Sequence, residues 1–335
     1  MLYPLFIRPF VFAQDAETAH ESSLELLNNF RYLIPATLHR KPVNVMGLEF
    51  PNPVGLAAGL DKNADYLAGL GRLGFGCIEV GTVTPLPQAG NPKPRLFRLT
   101  KYDSIINRMG FNNKGVNHLL QNIAQLPPHP YILGINIGKN LTTPVDKALS
   151  DYNLALQQVY TSADYITINI SSPNTPGLRS LQSEQALEAL LKGINECRKG
   201  LQDEHQVNRP IALKISPDLD DQAIAPISEL LIKHNIDALI ATNTTLDKSN
   251  VQGHPFANEA GGLSGAALTD KSRQILYKFH QQLQDEIPII SAGGIDSPEE
   301  AQCRLDIGAK LIQIYSAFIF KGPELINKIT KSIKP

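Results

Sequence analysis

A closed (β/α)8 barrel preceded by a helical extension is the fold class this sequence predicts, and three observations carry the expectation. Short β-branched or apolar runs recur eight times along the 335 residues, each bounded by Gly, Pro, Asn or Ser. Polar-apolar stretches long enough for a crossover helix separate them, as at residues 184–198 and 269–283, and strand–helix alternation builds a parallel sheet. Polar residues gather just after the runs, at the barrel end where active sites sit. An open doubly wound sheet is the alternative arrangement of these elements; the count and the polar strand ends favour closure.

The first 45 residues precede the barrel, so the chain divides into an extension over 1–45 and a barrel over 46–335. Residues 1–12 are apolar but broken by Pro4, Arg8 and Pro9, too short and interrupted for a spanning helix or a secretory signal, yet suited to resting on a membrane. Helical spacing covers 15–30, and a second short helical segment is expected over 31–39. The eight strands follow at 53–59, 77–84, 131–138, 165–171, 211–216, 238–243, 288–294 and 311–317. About 46 residues separate the second and third, too many for a simple crossover, and read as a lid or pocket wall. The string Gly69-Leu-Gly71-Arg-Leu-Gly74 matches a dinucleotide-binding pattern by letter, but it follows a helical stretch and precedes a strand, which makes it a helix end and turn.

A formal net charge of -1, without a basic stripe, excludes nucleic acid as a natural partner. Cys77, Cys197 and Cys303 are widely spaced without a CxxC, which argues against a disulfide framework, a metal site or an iron–sulfur cluster and fits a reducing compartment.

The strand ends supply the chemistry. After the fourth strand comes Ser171-Ser172-Pro173-Asn174-Thr175-Pro176-Gly177, in which two prolines stiffen the chain that carries the Ser172 hydroxyl and the Asn174 amide. Ala57-Ala58-Gly59-Leu60-Asp61-Lys62 ends the first strand with small residues that admit a flat ligand and a lysine that suits an anion or a flavin edge. Lys214 lies inside an apolar strand, where a charge must find a partner or lose its proton. Thr242-Asn243-Thr244-Thr245 clusters hydroxyls and an amide able to read a polar heterocycle. Gly293-Gly294, Gly261 to Gly265 and Tyr315-Ser316 offer backbone N–H groups where barrels often bind phosphate.

Together, the segments 58–62, 107–113, 136–140, 169–177, 241–245 and 313–316 closely resemble the dihydroorotate dehydrogenase family nearly end to end. The resemblance implies an FMN-containing barrel that oxidises dihydroorotate to orotate in pyrimidine synthesis. Serine rather than cysteine at Ser172, and the spacing of Asp15, Glu17, Ala19 and His20, resemble the quinone-linked class 2 enzymes; a soluble class 1 or dihydropyrimidine-type flavin enzyme using fumarate or NAD is the alternative. The resemblance assigns Ser172 as catalytic base. It places Lys62, Asn107, Arg108, Met109, Gly110, Phe111, Asn169, Asn174, Asn243 and Thr244 at the substrate. For FMN it implies Ala58, Gly59, Leu60, Asp61, Lys62, Thr82, Asn136, Asn169, Lys214, Thr242, Gly265, Gly294, Tyr315 and Ser316. It implies a quinone site at His20, Arg98 and Tyr315, with Leu5, Phe6, Phe10 and Phe12 at the bilayer surface. A monomer or weak oligomer on the cytoplasmic side of the inner membrane follows from the same resemblance.

Overall fold

The computed structural model describes residues 3–334. Eight parallel strands close into a barrel: Val54–Leu56, Cys77–Val83, Ile132–Ile137, Tyr165–Asn169, Ile211–Ile215, Ala238–Ala241, Ile289–Ala292 and Ala309–Ile314, hydrogen-bonded in chain order with the last pairing to the first. Strands flanked by helices outside and packed side chains inside are buried on both faces, which is why they read as continuous apolar runs. The eighth begins two residues before the expected start because exposed Lys310 interrupts its apolar pattern.

Two devices close the barrel bottom. A hairpin of Val43–Val45 and Leu48–Phe50, unforeseen in the sequence, turns through Met46 and Gly47, both at positive φ as a two-residue hairpin turn requires. It inserts Val45 and Phe50 among Tyr165, Ile240, Ile290 and Leu311. Gly134 makes room for the Tyr165 ring, since a Cβ there would stand 2.3 Å from it.

The long excursion is not a loose lid. Leu96–Leu99 and Ser104–Asn107 form an antiparallel hairpin, and Gly262–Gly265, from between the sixth and seventh strands, adds a third strand to it. This sheet walls one side of the barrel mouth.

The N-terminal helix runs Ala16–Asn29, capped by Asp15, whose carboxylate accepts the N–H groups of Glu17 and Thr18 at 3.1 and 3.0 Å. A buried ion pair ties it to the barrel mouth: Arg95 Nη2 donates to Glu17 Oε1 at 2.7 Å. The expected second helix is corrected to a single turn, Arg31–Leu33, because Pro35 forces the preceding residue out of helical backbone. The glycine string is a helical turn at Leu67–Leu70 whose Gly69 N–H donates to Asn28 Oδ1 at 3.1 Å. Ahead of them, Tyr3–Ile7 and Arg8–Phe12 form a short helical segment. Phe10 is 75% exposed, and half-buried Phe12 packs against Phe320, with ring centroids 5.4 Å apart. Met1, Leu2 and the Phe6 side chain lie outside the described residues. No helix among the described residues is long and apolar enough to cross a membrane.

Candidate active site

The strand ends open into one cavity. Ala58, Gly59 and Lys62 reach it from the first strand, Thr82 from the second, and Asn169, Ser172 and Asn174 from the fourth. Lys214 comes from the fifth, Thr242, Asn243 and Thr244 from the sixth, Gly294 from the seventh and Tyr315 and Ser316 from the eighth. The three-stranded wall adds Asn107, Met109, Gly110, Phe111 and Gly265.

Ser172 Oγ accepts the N–H of Asn174 at 3.2 Å, a bond that leaves its own proton available. Asn174 Nδ2 donates to Asn107 Oδ1 at 3.1 Å, joining the serine loop to the wall. Asn169 accepts from the Ser171 hydroxyl at 3.0 Å, and Asn243 Nδ2 donates to the same hydroxyl at 3.0 Å. Hydroxyl and amide groups thus line the cavity in two hydrogen-bonded clusters.

The two lysines differ in setting. Lys62 Nζ donates to the Gly59 carbonyl at 2.8 Å, and burial brings its pKa down to about 8 against the pull of Glu17. Lys214 is buried, which lowers its pKa, while the Glu79 carboxylate 3.9 Å away opposes that shift. Tyr315 is raised to about 12 by burial, so its hydroxyl keeps its proton.

Six of the expected residues do not line this cavity. Asn136 lies behind it and supports Thr82 and Asn169. Asp61 spends its carboxylate on the N–H groups of Asn63, Asp65 and Tyr66 at 3.2, 3.0 and 2.8 Å, which folds its own loop; burial raises its pKa to about 6. Leu60 and His20 line a second cavity on the far side of Lys62. Burial, then the charge on Lys62, lowers the His20 pKa to about 3, so the imidazole is neutral near pH 7. Arg108 turns outward to Glu259 at 2.6 Å. Arg98 donates to the carbonyls of Val11 and Phe12 at 3.1 and 3.3 Å and also reaches that of Gln14. Tyr315 thus lines the first cavity and His20 the second, while Arg98 is tied to the N-terminal carbonyls.

Sequence reasoning missed three residues. Arg179 clamps two loops at once: it donates to the Ser171 carbonyl at 3.0 Å, the Thr244 carbonyl at 2.8 Å and Asp218 at 2.8 Å. Burial alone would raise the Asp218 pKa, but the bonds from Lys271, Thr245, Leu246 and Arg179 outweigh it and hold the carboxyl low. Glu79 is buried inside the barrel, and the rule that singled out Lys214, a charge in an apolar strand, would have found it too.

Fold and site together define a barrel enzyme whose strand ends present a hydroxyl, two lysines and a ring of amides to a flat polar ligand. The family model of dihydroorotate dehydrogenase matches residues 41–335. The dihydroorotate dehydrogenase (quinone) of Chromobacterium violaceum is 52% identical over 99% of this chain and 97% of its own length. That of Saccharophagus degradans is 51% identical over 98% of each. Among solved structures, DHODH from Eimeria tenella in complex with ferulenol superposes with a TM-score of 0.88 at 34% identity, covering 94% of this chain and 90% of that one. The chain belongs to the dihydroorotate dehydrogenase family.

Proposed function

We propose that this protein oxidises (S)-dihydroorotate to orotate with FMN and delivers the electrons to a membrane quinone, the step of pyrimidine synthesis that its relatives' name describes. The observation that carries the reading is the meeting of Ser172, Asn107, Asn174, Asn243, Thr244 and Lys62 in one cavity whose other wall holds Lys214 and the glycine loops.

The cavity's chemistry suits a flavin. Gln313 Oε1 and Thr244 Oγ1 are buried without a protein partner, and both residues line the cavity, as expected where a ring with donor and acceptor edges binds. Ala58, Gly59, Thr82, Asn169, Lys214 and Thr242 would hold the ring system, and Gly265, Gly294, Tyr315 and Ser316 the phosphate, with Asn136 behind them. FMN, when bound, supplies the hydride acceptor for C6 of dihydroorotate and the two-electron store for the quinone.

The chain's own groups do the rest. Ser172 takes the C5 proton as its own hydroxyl proton passes on to a relay; a free hydroxyl is too weak a base at neutral pH, so positioning by the proline-stiffened loop, that relay and charge stabilisation of the developing enolate must lower the barrier. Lys62 faces the substrate carboxylate and the asparagine amides its imide groups, each saturating a group that water would otherwise occupy. Lys214 stabilises negative charge on the reduced cofactor.

Residues 1–45 form the quinone-binding and membrane-contacting part in this reading, with His20, Arg98 and Tyr315 along the quinone's route. Exposed Leu5, Ile7, Phe10, Leu26, Phe30 and Leu33 on this extension support a peripheral seat on the cytoplasmic face of the inner membrane. The purified protein should be yellow, bleach with dihydroorotate without oxygen, and recover colour on adding quinone. Ser172→Ala should keep the colour and bind orotate but bleach far more slowly. Colourless protein that takes up no flavin, or an alanine variant reduced at the native rate, defeats the reading.

A further inference from the structure

We infer that Glu79 is a positioning residue that fixes which way round the ligand-facing amides point, an inference that rests on the proposed reading of the site. Glu79 sits in the second strand, 1% exposed, with its carboxylate among residues of four other strands. Its Oε1 accepts from Asn136 Nδ2 at 2.8 Å and lies 3.9 Å from Lys214 Nζ. Its Oε2 accepts from Tyr165 at 2.9 Å, Thr167 at 3.2 Å and Gln313 Nε2 at 2.8 Å.

An ionised carboxylate only accepts, so every neutral neighbour must turn a donor toward it. Asn136 therefore points Nδ2 at Glu79 and Oδ1 away, where Oδ1 accepts from Thr82 at 2.5 Å and from Asn169 Nδ2 at 3.1 Å. With its Nδ2 so committed, Asn169 presents Oδ1 to the Ser171 N–H and hydroxyl and, at 3.4 Å, to Asn243 Nδ2. Asn243 Oδ1 is left to accept the Thr244 N–H at 2.8 Å. Each amide has the same shape after half a turn, so shape alone does not choose its direction. The choice is made at the head of the chain, by the one group that cannot donate, and it passes through residues of the third and fourth strands to substrate-facing groups on the sixth. Gln313 is oriented by the same carboxylate, which leaves its Oε1 buried without a partner in a residue that lines the cavity.

The test uses the flavin-loaded full chain, with orotate affinity read from the change in flavin absorbance and folding from thermal melting. Glu79→Gln keeps the shape but turns one oxygen into a donor, so Asn136 or the three-donor group must meet a donor; orotate should bind about 10- to 100-fold more weakly. Adding Asn136→Asp should recover most of that loss. The new amide then donates to the new carboxylate, whose other oxygen still accepts from Thr82 and Asn169, so the downstream polarity returns although the charge has moved. A single variant that fails to fold and is restored to folding by the second substitution supports the inference equally. Orotate affinity in Glu79→Gln within about twofold of the native value, or a double variant no better than the single one, overturns it; so does a failure of both to fold. If the native protein itself binds no flavin or shows no orotate signal, the proposed function has failed rather than the role of Glu79.

Discussion

Replacing Arg179 by methionine should damage substrate handling while sparing flavin binding. Its guanidinium holds both the Ser171 carbonyl, next to the proposed base, and the Thr244 carbonyl, on the sixth-strand loop. Ser171 is fully buried, so its orphaned carbonyl would not be rescued by water, and an unsatisfied buried acceptor costs about 1–3 kcal/mol. Asp218 keeps Lys271 at 2.7 Å and the donors of Thr245 and Leu246, so its charge stays paired and the lost ion pair is left out of the sum. Since Thr244 is half-buried, the mid-range cost of the Ser171 carbonyl alone gives about 2 kcal/mol, or about thirtyfold in kcat/KM. Most of the residues expected at the flavin lie on other strand ends, Asn169 and Thr242 excepted, so FMN content should stay near native. Anaerobic stopped-flow reduction by dihydroorotate, with FMN content and thermal midpoint measured on the same sample, checks the split. Arg179→Lys, able to serve one partner at a time, should fall between. Reduction in Arg179→Met within threefold of native, or a loss of flavin in proportion to the loss of rate, would refute the clamp.

Lys214→Ala should lower FMN occupancy or move the flavin potential downward, since it removes the cation expected at the reduced cofactor; spectroelectrochemistry reads both, and an unchanged potential at full occupancy counts against the assignment. His20 titrates at about 3 when folded against 6.5 when free, so its contribution is complete above pH 6.5 and is lost as pH falls toward 3, by up to about 1.4 kcal/mol per pH unit. His20→Gln should flatten the acid limb of stability between pH 6.5 and 4.5, measured by urea unfolding, and an unaltered slope would show that the imidazole is not held neutral. Deleting residues 1–40 should abolish efficient quinone reduction and liposome binding while leaving reduction of a soluble dye measurable; a well-folded truncation with native quinone kinetics would send the quinone site elsewhere.

The barrel was legible because burial on both faces writes each strand as an unbroken apolar run, and the glycines and prolines around it mark the ends. The antiparallel wall was not. Its third strand, Gly262–Gly265, contains two glycines and no strong strand former apart from position, so the segment read as a backbone loop; it is held as a strand by partners some 155 residues earlier in the chain, such as Asn107 opposite Gly262. The residues facing the ligands were legible for a related reason. They cluster in short loops of unusual composition, as in Ser172 to Gly177, where stiffness and side-chain chemistry coincide within one window.

The support behind them has the opposite distribution. Glu79, Asn136, Thr167, Lys214 and Gln313 each contribute a polar side chain from the second, third, fourth, fifth and eighth strands, and each stands between two apolar neighbours in its own strand. Closure of the sheet is what turns these five exceptions into a network, because a barrel aims alternate side chains of every strand at the same axis. A buried charge in such a place is tolerable only with partners, and those partners are spread over 235 residues from Glu79 to Gln313. Single polar residues in neighbouring apolar strands should therefore be read jointly once closure is expected: the lysine of the fifth strand already implied an anion on another strand, and Glu79 was the acidic residue within an apolar run placed to supply it.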